Sequence, residues 1–180
     1  MTTGLAWRLA EPADVPVVNA LTARSIRALH AGSYDDAVID EAVTHDYGVD
    51  WQLVRDGTYF VVEIDGVVAG AGGWSDRQTI AGAHGPNDPA ADLLDPVRDA
   101  ARVRAFYVDP AYVRRGVGAL LLRRSEQAAR EAGPWKLNSP PPSQPSLSTP
   151  HSGEDIQHAA SQWINSPIGT DEKAPVTHER

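Results

Sequence analysis

Hydrophobic and polar positions alternate with two different periods through the first 133 residues, and each period predicts its elements. Trp7–Leu9 is short and apolar at its ends, a first strand. Val18, Leu21 and Leu29 fall near one face of a helix that Asp14 caps, with Pro16 in its first turn, and that runs to about His30. A second helix is predicted over Asp36–Thr44. Thr58–Ile64 is rich in β-branched and aromatic residues; Asp65-Gly66 follows as a tight turn, then Val67–Trp74. That pattern predicts a β-hairpin. Ser75–Pro96 carries scattered Gly, Pro and Asp and reads as a long loop. Ala101–Val108 is the next strand. Val117–Ala132 is an amphipathic helix with Gly133 placed to end it.

A change of composition at Gly133 divides the chain. Residues 1–133 hold thirteen Arg, no Lys and six Pro, whereas residues 134–180 hold two Lys, one Arg, eight Pro and seven Ser. The run P-W-K-L-N-S-P-P-P-S-Q-P-S-L-S-T-P suits neither a helix interior nor a central strand. The expected organisation is therefore one folded domain over 1–133 and a Pro/Ser-rich tail over 134–180. An apolar fraction of 42% supports a core in the first part. With no cysteine there is neither a disulfide framework nor a thiolate zinc site. No apolar run has the length of a membrane span or follows a basic leader, so a cytoplasmic location is expected, away from membranes. The net charge of −8 argues against broad nucleic-acid binding, which needs a basic face.

Candidate chemistry concentrates in Arg104–Gly133, which reads R-A-F-Y-V-D-P-A-Y-V-R-R-G-V-G-A-L-L-L-R-R-S-E-Q-A-A-R-E-A-G. A strand runs into a loop with two arginines and a Gly-x-Gly, then into a helix. Such a loop presents backbone N–H groups at a helix N-terminus, where a phosphate binds. A dinucleotide fingerprint would need a third glycine where Leu121 stands, and no Gly-Lys-Ser/Thr loop occurs.

This segment resembles the cofactor-binding core of the GNAT N-acetyltransferase family, whose loop is Q/R-x-x-G-x-G/A. The matching positions are Val113, Arg114, Arg115, Gly116, Val117 and Gly118, with Val113 departing from the preferred Gln or Arg. The resemblance implies an α+β fold, an α/β sandwich in which a mixed sheet is flanked by helices, with its C-terminal strands missing or disordered. It implies acetyl-CoA as co-substrate and a small-molecule or peptide amine as acceptor, with a homodimer as one open assembly. The cofactor-binding set it implies is Phe106, Tyr107, Val108, Arg114, Arg115, Gly116, Val117, Gly118 and Ala119. Phe106, Tyr107 and Val108 would offer backbone hydrogen bonds to the pantetheine amides, and the glycine loop would cradle the pyrophosphate. Against this stands an ordinary strand–turn–helix connection with the same sequence.

Other residues divide between a chemical and a structural reading. Glu63 would serve as a base on the hairpin strand, or be an exposed strand carboxylate. Tyr107 suits core or cofactor wall more than acid. Trp51, Tyr59 and Trp74 would line an acceptor pocket, or pack the core. Arg123 and Arg124 read as a solvated helix face, and His30, His45 and His84 lack ligand spacing.

The tail has a second reading through the genetic code. Shifted by one base, Trp135–Gly153 is compatible with E-A-E-L-A-A-T-L-P-A-V-P-F-Y-T-A-L-G. Many GNAT proteins carry a similar A-T-x-P-x-x-x-F-Y-x-x-L-G, whose Tyr protonates the departing CoA thiolate. Residues 134–180 are thus either out of frame or a genuine disordered Pro/Ser-rich tail. With the tail genuine, the chain would be a cofactor-binding module or a truncated product without catalysis.

Overall fold

The computed structural model describes residues 4–45, 47–79 and 85–138. Its elements in chain order are β1 (Leu5–Leu9), α1 (Val15–His30), α2 (Asp36–His45), α3 (Trp51–Asp56), β2 (Tyr59–Ile64), β3 (Val67–Ser75), β4 (Ala100–Val108), α4 (Val117–Ala132) and β5 (Lys136–Asn138). The strands form one sheet in the order β1-β2-β3-β4-β5. The first four run antiparallel, and β5 joins β4 in parallel. This is the expected α+β sandwich with a mixed sheet. The β2–β3 turn has φ of 51° at Asp65 and 79° at Gly66. Two positive values match the right-handed twist of a two-residue hairpin, which is why Asp-Gly serves there.

The period-two pattern of β2 sorts its side chains between two cores. Phe60, Val62 and Ile64 meet Val117, Leu121 and Ala129 of α4 on one face. Tyr59 and Val61 meet Val18 of α1 and Leu53 of α3 on the other. Within α1 the buried positions Thr22, Ile26 and His30 advance by four residues at each step. An i+4 row drifts around the helix, and Leu29, expected on the buried face, is 72% exposed.

Three expectations are corrected. Asp14 stands at the cap position of α1, yet its carboxylate bonds no helix amide. It accepts instead from the Glu11 N–H at 2.8 Å and from both terminal nitrogens of Arg8 at 2.6 and 2.7 Å. The helix α3 was not anticipated. Its six residues are too few to show a period, although Asp50 caps its start and Gly57, at φ 67°, ends it. Finally, residues after Gly133 do supply a strand. Lys136, Leu137 and Asn138 pair with Ala100, Ala101 and Arg102. Those three residues lie between Pro134 and Pro140 and are themselves free of proline, so each can take part in a ladder.

The β3–β4 connection is tied down by arginines. Arg77 donates to both carboxylate oxygens of Asp56 at 2.7 and 2.9 Å and to the Ala91 carbonyl at 2.8 Å. Arg55 reaches the Pro86 carbonyl at 2.8 Å. No helix among the described residues is long and apolar enough to cross a membrane.

The Arg8–Asp14 pair carries a pH-dependent contribution. Hydrogen bonds from Arg8 hold the Asp14 carboxyl below its ordinary value, against the opposing effect of burial. A carboxyl lowered in the folded state stabilises above its unfolded pKa, and that contribution is lost as pH falls through the folded value. Asp14→Asn is expected to cost about 1 kcal/mol at neutral pH, discounted for the exposure of Arg8. Urea unfolding across an acid series should show the gap to wild type closing below the carboxylate range.

Candidate functional site

The site is organised by an irregularity in β4. Between Ala71 and Gly73 of β3 the partner in β4 jumps from Tyr107 to Arg104. One residue of β3, Gly72, therefore faces two of β4, Ala105 and Phe106, which makes a β-bulge. Ala105 takes it up with φ 56°, unusual for a residue with a side chain. The Phe106 ring lies over Gly72, where a Cβ would meet it at 2.5 Å.

Beyond the bulge the two edges of β4 differ. The Asp109 N–H donates to the Ala69 carbonyl at 2.9 Å. Antiparallel alternation then turns the backbone groups of Tyr107 toward β3 and those of Phe106 and Val108 to the outer edge. The Tyr107 carbonyl oxygen lies 3.0 Å from where a Cβ on Gly70 would sit, in agreement. On the outer edge, β5 takes Ala100, Ala101 and Arg102. Among the described residues no strand covers that outer edge beside Phe106 or Val108.

The chain then enters the glycine loop. Asp109 caps a 3-10 turn at Pro110–Tyr112, accepting from the Ala111 N–H at 2.9 Å, and is held by Arg24 of α1 at 2.6 Å. Arg114 has φ 63°, and Gly116 caps α4 at φ 85°. The bond from the Leu120 N–H to the Gly116 carbonyl, 2.9 Å, begins the ladder of α4. The amides of Val117, Gly118 and Ala119 precede it and point out of the helix end, where the dipole favours an anion. Docking of this end on the sheet needs Gly70, since a Cβ there would meet Val117 Cγ1 at 2.5 Å. Arg114 and Arg115 are exposed beside the same amides, Arg115 lying 5.4 Å from the centre of the Tyr112 ring. A 3.7 Å approach to Val108 is all that a Cβ on Gly118 would meet.

The structure thus brings Phe106, Val108, Arg114, Arg115, Gly116, Gly118 and Ala119 to one strand end and one helix end. Val117 contributes its amide there, while its side chain is buried against the sheet.

Residues 23–138 match the model of the acetyltransferase (GNAT) family. The chain belongs to this family. Among solved structures it is similar to a GCN5-related N-acetyltransferase from Kribbella flavida, with 24% identity and a TM-score of 0.50. That match covers 79% of this chain and 31% of the Kribbella chain, so this chain spans about a third of that protein's length. It is also similar to the PaiA N-acetyltransferase from Thermoplasma acidophilum, solved with coenzyme A. There the identity is 12% and the TM-score 0.52, over 77% of this chain and 81% of the other. These likenesses bear on the fold. None of the curated protein sequences matches the chain.

On the face of the GNAT sheet opposite α4 lies a polar group that the sequence reading missed. Arg104 and Asp50, 6% and 1% exposed, form an ion pair at 2.7 Å. Asp50 also accepts from the Gln52 N–H at 2.9 Å. The Tyr59 hydroxyl donates to the carbonyl of Ala105, the bulge residue, at 3.2 Å. Register places Tyr59, Gly73 and Arg104 side by side across three strands. Burial raises the Tyr59 and Tyr107 hydroxyls far above the ordinary phenol range, so both stay protonated. Burial lowers the Arg104 guanidinium, and Asp50 opposes that shift.

The remaining candidates divide between structural partners and solvent. Glu63 accepts from Arg8 Nε at 3.0 Å. Tyr59 and Trp74 are core residues, on opposite faces of the sheet. Arg124 covers the Trp7 ring at 3.5 Å instead of standing in solvent, while Arg123 is exposed. His30 is buried against Tyr34 and His45 is exposed. His84, like the shifted-frame tyrosine, lies outside the described residues. Among the described residues no three His, Asp or Glu side chains gather as a metal site.

Proposed function

We propose that this chain transfers an acetyl group from acetyl-CoA to an amine, small molecule or peptide. One observation carries the reading: the outward amides of Val117, Gly118 and Ala119 continue directly from the outer edge of β4 at Phe106 and Val108. Together they fit one extended ligand with phosphates at one end and amides along its length. Tyr107, whose backbone groups face β3, leaves this set. The Phe106 N–H, next to the bulge, would polarise the thioester carbonyl. The amine nitrogen adds to that carbon, the C–S bond breaks, the nitrogen loses its proton and the sulfur gains one. Direct attack in a ternary complex needs no covalent enzyme intermediate.

Residues 1–133 with the short strand β5 would form the cofactor half of the site. The family's tyrosine acid belongs to the shifted-frame reading of residues 134–180. Sequencing the coding DNA across codons 130–155 tests that reading, and a neighbouring frame without Phe-Tyr would sink it. A cytoplasmic location fits this cofactor, and a homodimer is its proposed assembly.

Acetyl-CoA is expected to raise the melting temperature, and an amine panel followed by thiol release would identify the acceptor. Absence of any shift at saturating acetyl-CoA would overturn the proposal. Binding without turnover on any amine would favour the non-catalytic module instead. Arg114→Ala with Arg115→Ala is expected to weaken acetyl-CoA binding about tenfold, the scale of one charge-assisted hydrogen bond. Titration calorimetry at two salt concentrations would measure it, and the loss should shrink as salt rises.

A further inference from the structure

The bulge at Ala105 stands where the pairing of β4 with β5 has ended and the outward-facing edge toward α4 begins. Its φ of 56° is a strained conformation for alanine, and such a conformation persists only where the surroundings impose it. Two contacts do so from the side opposite α4. Tyr59 bonds the Ala105 carbonyl at 3.2 Å, and Asp50 holds Arg104, the preceding residue, at 2.7 Å. Asp50 is itself fixed by its bond to the Gln52 amide at the start of α3. The path runs from the cap of α3 through a buried ion pair to the backbone beside the Phe106 N–H.

A buried ion pair is a poor device for stability alone. Desolvating both charges offsets much of their attraction, and apolar replacements of similar size are often as stable. What such a pair offers is direction: it holds the β4 backbone at one point and in one orientation.

We infer that Asp50, acting through Arg104 and together with Tyr59, is a positioning residue that aims the backbone of the Ala105 bulge at the thioester carbonyl. The inference rests on the proposed acetyl-CoA reading. Neither Asp50 nor Tyr59 touches substrate; both act through the strand. A misplacement of about 1 Å at a reacting centre costs up to about a hundredfold in rate, so a small relaxation of the bulge should register.

The test uses acetyl-CoA labelled with carbon-13 at the carbonyl and needs no acceptor. Infrared difference spectra of the full chain should show the thioester carbonyl stretch shifted to lower frequency on binding. Asp50→Asn keeps an acceptor for the Gln52 amide but removes the charge. It should bind acetyl-CoA within about threefold of wild type, since the phosphate end is untouched, yet lose the shift. Asp50→Asn combined with Arg104→Met removes both charges; it should recover the melting temperature without recovering the shift. Tyr59→Phe, a single hydroxyl, should retain part of it. A pair that is merely structural would return the shift along with the stability in the double variant, which overturns the inference. So does a full shift in Asp50→Asn, or wild type that binds acetyl-CoA with no shift. Wild type that does not bind acetyl-CoA overturns the proposed function and this inference together.

Discussion

Arg104→Ala is expected to cost about 3–5 kcal/mol, the range for removing one partner of a buried ion pair. Natural domains hold only about 5–15 kcal/mol in total, so the variant should be largely unfolded on modest warming. The reason lies in what remains. Asp50 is 1% exposed and keeps the Gln52 amide as a partner, but loses the guanidinium that stood 2.7 Å from its other oxygen. A carboxylate in that position either stays charged and poorly solvated or takes up a proton. The bulge also loses one of its two supports. A control separates burial from charge: Arg98 pairs with Asp95 at 3.6 Å with both side chains largely in solvent. Arg98→Ala should change stability by less than about 0.5 kcal/mol. Urea unfolding of the two variants measures both, and an Arg104→Ala loss no larger than that of Arg98→Ala would refute the argument.

Which features were legible in the sequence follows from how local their causes are. The hairpin could be read because Asp65-Gly66 supplies the two positive φ angles between two apolar runs. The helix α4 was anticipated over Val117–Ala132, its observed span, because it is long, strongly amphipathic and begins at a glycine. The loop glycines could be assigned to a helix N-terminus for the same reason. By contrast, nothing in R-V-R-A-F marks Ala105 as left-handed; that conformation is imposed by Tyr59 and by the mismatch with β3. Asp50 and Arg104 meet only after α3, β2 and β3 are in place, so no window of sequence contains the pair. Strand β5 was hidden by its neighbours, three residues set in a proline-rich stretch.

The same distinction applies to the candidate site. Strand, loop and helix end are consecutive in the chain, and their residues converge without help from elsewhere. Which backbone groups of β4 face outward depends on its pairing with β3, a long-range fact, and the proposed set omits Tyr107 for that reason.

Gly73→Ala tests how closely that pairing is fitted. A Cβ at Gly73 would stand 2.3 Å from the Thr58 carbonyl oxygen and 3.0 Å from the Tyr59 Cα. Both are backbone atoms, so no side chain can turn aside. Strands β2 and β3 would have to part, and the bond from the Trp74 N–H to the same Thr58 carbonyl, now 3.2 Å, would lengthen. The expected loss is about 3 kcal/mol, the upper end for overpacking a tight core. Gly118→Ala is the counter-case, with its nearest contact at 3.7 Å and no expected effect on stability beyond a few tenths of a kcal/mol. Gly73 also lies between Tyr59 and Arg104 in the register, so displacing β3 there would pull on both supports of the bulge. Gly73→Ala should therefore lose the carbonyl shift of bound acetyl-CoA as well as stability. Melting curves would establish the first loss, and difference spectra well below the melting temperature the second. A Gly73→Ala protein as stable as wild type would mean that β2 and β3 are less closely packed than the structure has them.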